Sequence, residues 1–122
     1  FVNGTRMTYP MEQQAVRFLN LIGNFFFGAL LSRILSTQIT DTLCGTKALR
    51  RSDYAKFTMG ADSWGDFDLL FGAAQTGLRI VEVPVHYKAR SGGESKMQSF
   101  KHCLVLLKVC LSGFLRLKFR RR

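Results

Sequence analysis

The chain reads as a mixed α/β protein on three observations. A β-branched run, Ile80 to Tyr87, follows a glycine. Two long stretches, Met11 to Leu35 and the segment after Met97, repeat their polar residues at helical spacing, and a short apolar start ends in Asn3-Gly4. With 122 residues, 47% of them hydrophobic, the chain can fill the core of one modest domain. It begins at Phe1 with neither an initiator methionine nor a signal-like segment, so a piece of something longer is expected. Eighteen Lys and Arg against eight Asp and Glu give a net charge of +10, which calls for an anionic partner: a membrane surface, a nucleic acid or a phosphorylated substrate. Cys44, Cys103 and Cys110 lack metal-ligand spacing and leave an odd count, so reduced cytosolic thiols without a functional role are expected.

Taken in order, Phe1 to Arg6 reads as the end of a strand and a turn, because Asn-Gly is a strong turn dipeptide. Pro10 opens a helical stretch whose positive end Glu12 complements. Within Met11 to Leu35, Gln13, Arg17, Asn20, Asn24 and Ser32 recur at helical spacing with Gly28 in phase, and nearly everything else is apolar. A helix with so narrow a polar stripe needs cover around most of its circumference. Between Arg17 and Arg33 lie fifteen uncharged residues. At about 1.5 Å each they reach roughly 22 Å, short of the roughly 30 Å of a hydrocarbon layer. Two readings stay open: helices in a membrane interface, bent near Gly28, or a helix covered by further protein.

Thr40 to Arg51 places Asp41 ahead of Gly45, Lys47, Arg50 and Arg51. Either Asp41 caps a turn and the cations decorate a solvated face, or the acid and cations line a ligand. Ser52 or Asp53 is expected to cap a short helix through Phe57, and Met59 to Gly65 to form a loop. Asp66-Phe67-Asp68 leads into a helix over Leu69 to Thr76, closed by Gly77, with both carboxylates at the favourable end of the dipole. The run from Ile80 reads as a buried strand, with Pro84 arguing for an edge position or a ragged end. Arg90, Ser91, Gly92, Gly93, Glu94, Ser95 and Lys96 are suited to gripping phosphate oxygens by fork, point charge and backbone N–H, or form a solvated turn. After Met97, Phe100, Leu104, Leu107, Leu111, Phe114 and Leu115 fall on one helical side, with Lys101, Lys108, Ser112 and Arg116 on another. Lys108 interrupts the apolar run before it reaches transmembrane length. This segment is expected to rest on an anionic leaflet or to dock on the sheet with a basic end. His86 and His102 read as ordinary polar positions.

Glu82-Val83-Pro84-Val85 followed by Arg90, Gly93, Ser95 and Lys96 resembles the signature of family 2 glycosyltransferases, in the polyprenyl-phosphate branch typified by dolichol-phosphate mannose synthase. Gly4-Thr5-Arg6 is similar to that family's Gly-Ser-Arg. Asp41, Gly45 and Lys47 match its Asp-x-x-x-Gly-aromatic-Lys/Arg segment, with Thr46 replacing the aromatic residue. Asp66-Phe67-Asp68 lines up with the acidic motif that supplies or supports the acceptor base in related inverting transferases. The resemblance implies the C-terminal half of a nucleotide-diphospho-sugar transferase fold of GT-A type with amphipathic interface helices. Residues 1–96 would be the end of the catalytic domain, with interface helices over 11–35, and 97–122 a basic amphipathic helix.

The implied reaction is inverting transfer of a sugar from a nucleotide-sugar donor to a polyprenyl (dolichyl or undecaprenyl) phosphate, by a peripheral enzyme on the cytoplasmic face of a membrane. It implies Asp41 and Asp66 as catalytic acids and Arg6, Lys47, Arg90, Ser95 and Lys96 as phosphate contacts. A divalent cation, Mg or Mn, would be held mainly by acids upstream of Phe1, with no metal ligand in this chain, so the chain alone is not expected to turn over. Self-association is compatible with all of this. The competing class is a non-catalytic basic module for a membrane surface or a nucleic acid. Nucleic acid is disfavoured, because the aromatic residues gather in the apolar helix and form no aromatic-basic platform.

Overall fold

The computed structural model describes residues 1–8, 18–60, 65–86, 88 and 99–120. Its elements are β1 (Val2–Thr5), α1 (Phe18–Leu35), β2 (Lys47–Ala48), α2 (Arg51–Tyr54), α3 (Asp66–Gln75), β3 (Val81–Pro84) and α4 (Ser99–Arg120). The mixed α/β class expected from the sequence is what is found. Apolar faces of α1, α3 and α4 converge on one core, in which Phe27, Leu31 and Leu35 meet Phe67, Leu70, Phe71, Ala73, Leu106, Val109 and Cys110. Phe27 and Phe67 stand edge to face with ring centroids 5.8 Å apart, the arrangement their quadrupoles favour. Gly113 lets α4 close on the ring of Phe71, whose atoms occupy the place a β-carbon would take.

The sheet has the order β2-β1-β3, so the first strand is central. β1 runs antiparallel to β2 and parallel to β3, with Val2, Asn3, Gly4 and Thr5 opposite Val81, Glu82, Val83 and Pro84. Asn3-Gly4 therefore lies inside a strand instead of forming the expected turn. Pairing on both sides overrides the dipeptide's turn preference. A glycine is needed there because a β-carbon on Gly4 would approach the Thr46 carbonyl to 2.9 Å. Pro84 sits at the end of an edge strand, one of the two positions its missing N–H allows. The strand is not buried as expected, however: Val81 and Val83 are exposed, together with Val2 beside them. Parallel strands are normally covered on both faces, and here only the Asn3 and Glu82 face is covered.

α2 begins at Arg51 with Arg50 as its cap, and neither Ser52 nor Asp53 caps it. The Asp53 N–H donates to Arg50 O, and its carboxylate pairs with Lys56 at 3.2 Å. α3 starts at Asp66 after Gly65. It ends as expected at Gly77, whose φ of +73° lets Leu78 N–H turn back to Ala73 O at 2.9 Å.

α1 continues as a single helix through Gly28, so no second helix begins there; the expected residues 11–17 lie outside the described residues. Its polar stripe faces inward: Asn24 is buried and Ser32 half-buried. Phe18, Ile22, Phe25 and Phe26 face outward, Phe18 with 72% of its surface exposed. α4 likewise buries one apolar face and presents Leu104, Leu107, Leu111, Phe114 and Leu115 on another. Lys101, Lys108, Arg116 and Lys118 are exposed beside them. Among the described residues no helix is long and apolar enough to cross a membrane. No disulfide joins Cys44, Cys103 and Cys110.

Candidate functional site

The site grows from the C-terminal end of β1. Past Thr5 the chain leaves the sheet, and Arg6 folds back over the segment joining α1 to β2. Asp41, with no exposed surface, lies beneath it. Arg6 Nε donates to Asp41 Oδ2 at 2.6 Å and Nη2 to Oδ1 at 2.8 Å, a two-pronged fork. The Arg6 N–H adds a bond to Oδ2 at 3.0 Å and Leu43 N–H one to Oδ1 at 3.3 Å. Four donors thus occupy a carboxylate that can accept about four. Asp41 is no exposed turn cap. Arg6, its side chain 11% exposed, is aimed by a buried partner.

A second pair lies one strand away. Lys47, which pairs with Asn3 across the sheet, extends Nζ to Asp66 Oδ1 at 2.8 Å and also donates to Cys44 O. Its side chain is 3% exposed, so Lys47 decorates no solvated face, whereas Arg50 and Arg51 are exposed. Asp66 retains more access than Asp41, with 18% of its side chain exposed, and its place in the first turn of α3 suits a carboxylate. Asp68, two residues on, is buried and accepts from Gly60 N–H at 2.8 Å, tying Gly60 to the first turn of α3. Four of the seven candidate residues are thus brought together two by two, each acid on one cation. Arg90, Ser95 and Lys96 lie outside the described residues.

Three side chains that sequence reasoning had not singled out as site residues tie this region together. Glu82 on β3 accepts from Thr40 N–H at 2.9 Å, Thr40 Oγ1 at 2.7 Å and Asn3 Nδ2 at 3.1 Å. Asn3 is fully buried and also donates to Asp41 O at 2.9 Å. Asn24 on α1 accepts from Thr42 N–H at 2.9 Å and Oγ1 at 3.0 Å, and donates to Thr40 O at 3.2 Å. The stripe containing Asn24 was visible as a pattern, but its partner, an irregular backbone segment, carries no pattern of its own.

A dolichyl-phosphate hexose transferase of Haloferax volcanii is 32% identical to this chain over 120 residues, which take in 95% of the chain and 51% of the relative. The chain is homologous to this family 2 glycosyltransferase. The likeness to the polyprenyl-phosphate branch, read first from short motifs, is borne out over nearly the whole chain. The chain spans about half the length of that relative. No family model matches the chain, and no solved structure matches it.

The homology widens the frame without changing the local chemistry. Among the described residues no three His, Cys, Asp or Glu side chains converge as metal ligands. Asp41 is moreover saturated by Arg6 and backbone donors, and Asp66 is paired with Lys47. The described residues therefore do not fit the divalent cation that the resemblance implies. What they do provide is two cations held at fixed positions by acids, with a third acid, Glu82, bonded to the backbone that carries Asp41.

Proposed function

We propose that the chain is part of an inverting glycosyltransferase of GT-A type, acting from the cytoplasmic face of a membrane, that moves a sugar from a nucleotide-sugar donor to a polyprenyl phosphate. The likeness to a dolichyl-phosphate hexose transferase across 95% of the chain carries this reading. In the reaction an oxygen of the lipid phosphate bonds to the anomeric carbon from the face opposite the leaving group. The bond from that carbon to the diphosphate breaks, and the nucleoside diphosphate departs with the electron pair. A phosphate monoester is largely ionised at neutral pH, so no strong base is required to create the nucleophile. That fits an Asp41 whose oxygens are already committed to Arg6 and two backbone donors: it orients Arg6, and Arg6 meets a phosphate. Asp66, half-open beside Lys47, is the better placed of the two acids to reach a substrate hydroxyl or phosphate.

The membrane enters through the outward faces. Phe18, Ile22, Phe25 and Phe26 on α1 and the leucines of α4 would sit among acyl chains, with Lys101, Lys108, Arg116 and Lys118 at the level of anionic headgroups. The test is turnover by the complete enzyme with a nucleotide sugar and a polyprenyl phosphate, read by the anomeric configuration of the lipid product. Arg6→Lys, which keeps a cation on the buried Asp41 but loses the fork, and Arg90→Ala are each expected to lower transfer by roughly 10-fold or more while leaving the protein folded. Near-normal rates in both would refute the assignment.

A further inference from the structure

Residues 39 to 42 lie between α1 and β2 outside any helix or strand, so their backbone groups need partners from elsewhere. They find them on two different elements. From β3, Glu82 takes the Thr40 N–H and Thr40 hydroxyl, and reaches the Asp41 N–H at 3.4 Å. From α1, Asn24 takes both donors of Thr42 and gives its amide to Thr40 O. Ser32, about two turns further along the same stripe, accepts from Ile39 N–H at 2.8 Å. Asp41 is therefore held at the peptide before it by one element and at the peptide after it by another. Its own carboxylate then fixes Arg6. The hydroxyl pair Thr5 Oγ1 and Thr40 Oγ1, 2.8 Å apart, ties β1 to the same segment.

We propose that Glu82 and Asn24 are positioning residues that act through Asp41, holding the Arg6 guanidinium where a phosphate oxygen meets it. This rests on the reading of Arg6 as a phosphate contact. The chemistry explains why position 82 carries a carboxylate. Its oxygens face the Asn3 amide, the Thr40 N–H, the Thr40 hydroxyl and the Asp41 N–H, all able to donate. A glutamine there would keep shape and size but set an NH2 against the Thr40 hydroxyl, which would have to reverse its bond, and would remove the charge that the three N–H donors share. Asn24, by contrast, must both accept and donate, which an amide does and a carboxylate does not.

The experiment uses the complete enzyme and two readouts, transfer to polyprenyl phosphate and calorimetric titration with inorganic pyrophosphate, on Glu82→Gln, Asn24→Ala, Arg6→Ala and the two double variants. Small displacements of a positioned group commonly cost up to about 100-fold, so each single positioning variant is expected to lower kcat/KM by about 10- to 100-fold. Added to Arg6→Ala, either is expected to lower it by less than about threefold more, because residues acting through one another are not additive. Pyrophosphate affinity is expected to fall in Glu82→Gln and Asn24→Ala as it does in Arg6→Ala. Losses that multiply in the double variants would overturn the proposal, since they place Glu82 and Asn24 on a route that bypasses Arg6. If the wild-type enzyme transfers no sugar, the proposed function falls. The titration then decides the positioning claim alone, and unchanged pyrophosphate affinity in Glu82→Gln overturns it. Should Glu82→Gln not fold, Asn24→Ala makes the same test from the other element, because it removes the acceptor for Thr42 and the donor to Thr40 without adding a charge.

Discussion

Asp41 and Asp66 each pair with a cation, yet their surroundings give the two pairs different weights. Asp41 is fully buried and accepts from Arg6 at three atoms, while Asp66 holds Lys47 through one oxygen and keeps part of its surface in water. Replacing Asp41 by Asn turns an amide toward Arg6 and takes the buried carboxylate away from a mostly buried guanidinium, a change that costs about 3 to 5 kcal/mol. Asp66→Asn keeps an oxygen that can accept from the Lys47 ammonium, which also retains Cys44 O, and the charge it loses was partly in water, for about 1 to 3 kcal/mol. The two denaturant midpoints should therefore fall in that order, Asp41→Asn well below Asp66→Asn. Equal midpoints would mean that the Arg6 fork is not formed in solution. At this scale the sequence was informative about which residues matter and silent about their pairing. Asp41 and Arg6 are thirty-five positions apart, and only the return of the chain between α1 and β2 brings them together. Asn3 and Glu82 went unread as site residues for the same reason, since each looks like an ordinary strand position until the parallel register sets them side by side.

Elements were legible where a periodic pattern or a special backbone angle marked them. The helix closed by Gly77, the edge strand ending at Pro84 and the long basic helix after Met97 all lie close to where the sequence places them. What failed were readings of local preference against tertiary pairing: the Asn3-Gly4 turn, the Ser52 or Asp53 cap, and the break near Gly28. Gly28 marks a close approach instead of a bend, because a β-carbon there would come 3.0 Å from Ile39 O. Gly113 is tighter still, with the ring of Phe71 filling the place of its missing side chain. Gly113→Ala should thus push α4 off α3 and lower stability by about 1 to 3 kcal/mol, even though alanine is the better helix former. Gly45→Ala meets open space and serves as the control. A more stable Gly113→Ala protein would show that the α3 and α4 packing has room that the structure does not show.

At the scale of the whole molecule, the surface divides into chemically distinct regions, and the helical one makes the most exacting prediction. α1 turns its polar stripe toward the backbone it serves and three of its four phenylalanines outward, leaving apolar surface where a helix on a protein in water is polar. α4 adds outward leucines flanked by lysines, Leu104 with 64% of its surface exposed. Exposed apolar side chains on two helices that pack together, with exposed cations on one of them, fit an anionic bilayer surface, to which apolar insertion and headgroup attraction contribute separately. The two contributions can be measured apart. Flotation with vesicles containing anionic lipid should carry the protein upward at low salt, and about 1 M salt should reduce the bound fraction without abolishing it, since screening acts on the charges alone. Phe18→Glu with Phe25→Glu should release the protein at either salt concentration and leave its unfolding midpoint nearly unchanged, because both rings are exposed in the folded chain. Lys101→Glu with Lys108→Glu should remove the salt-sensitive part only. Binding that vanishes entirely at high salt would make this surface an electrostatic platform without insertion, and the outward aromatic face of α1 would then need a protein partner instead of a lipid one.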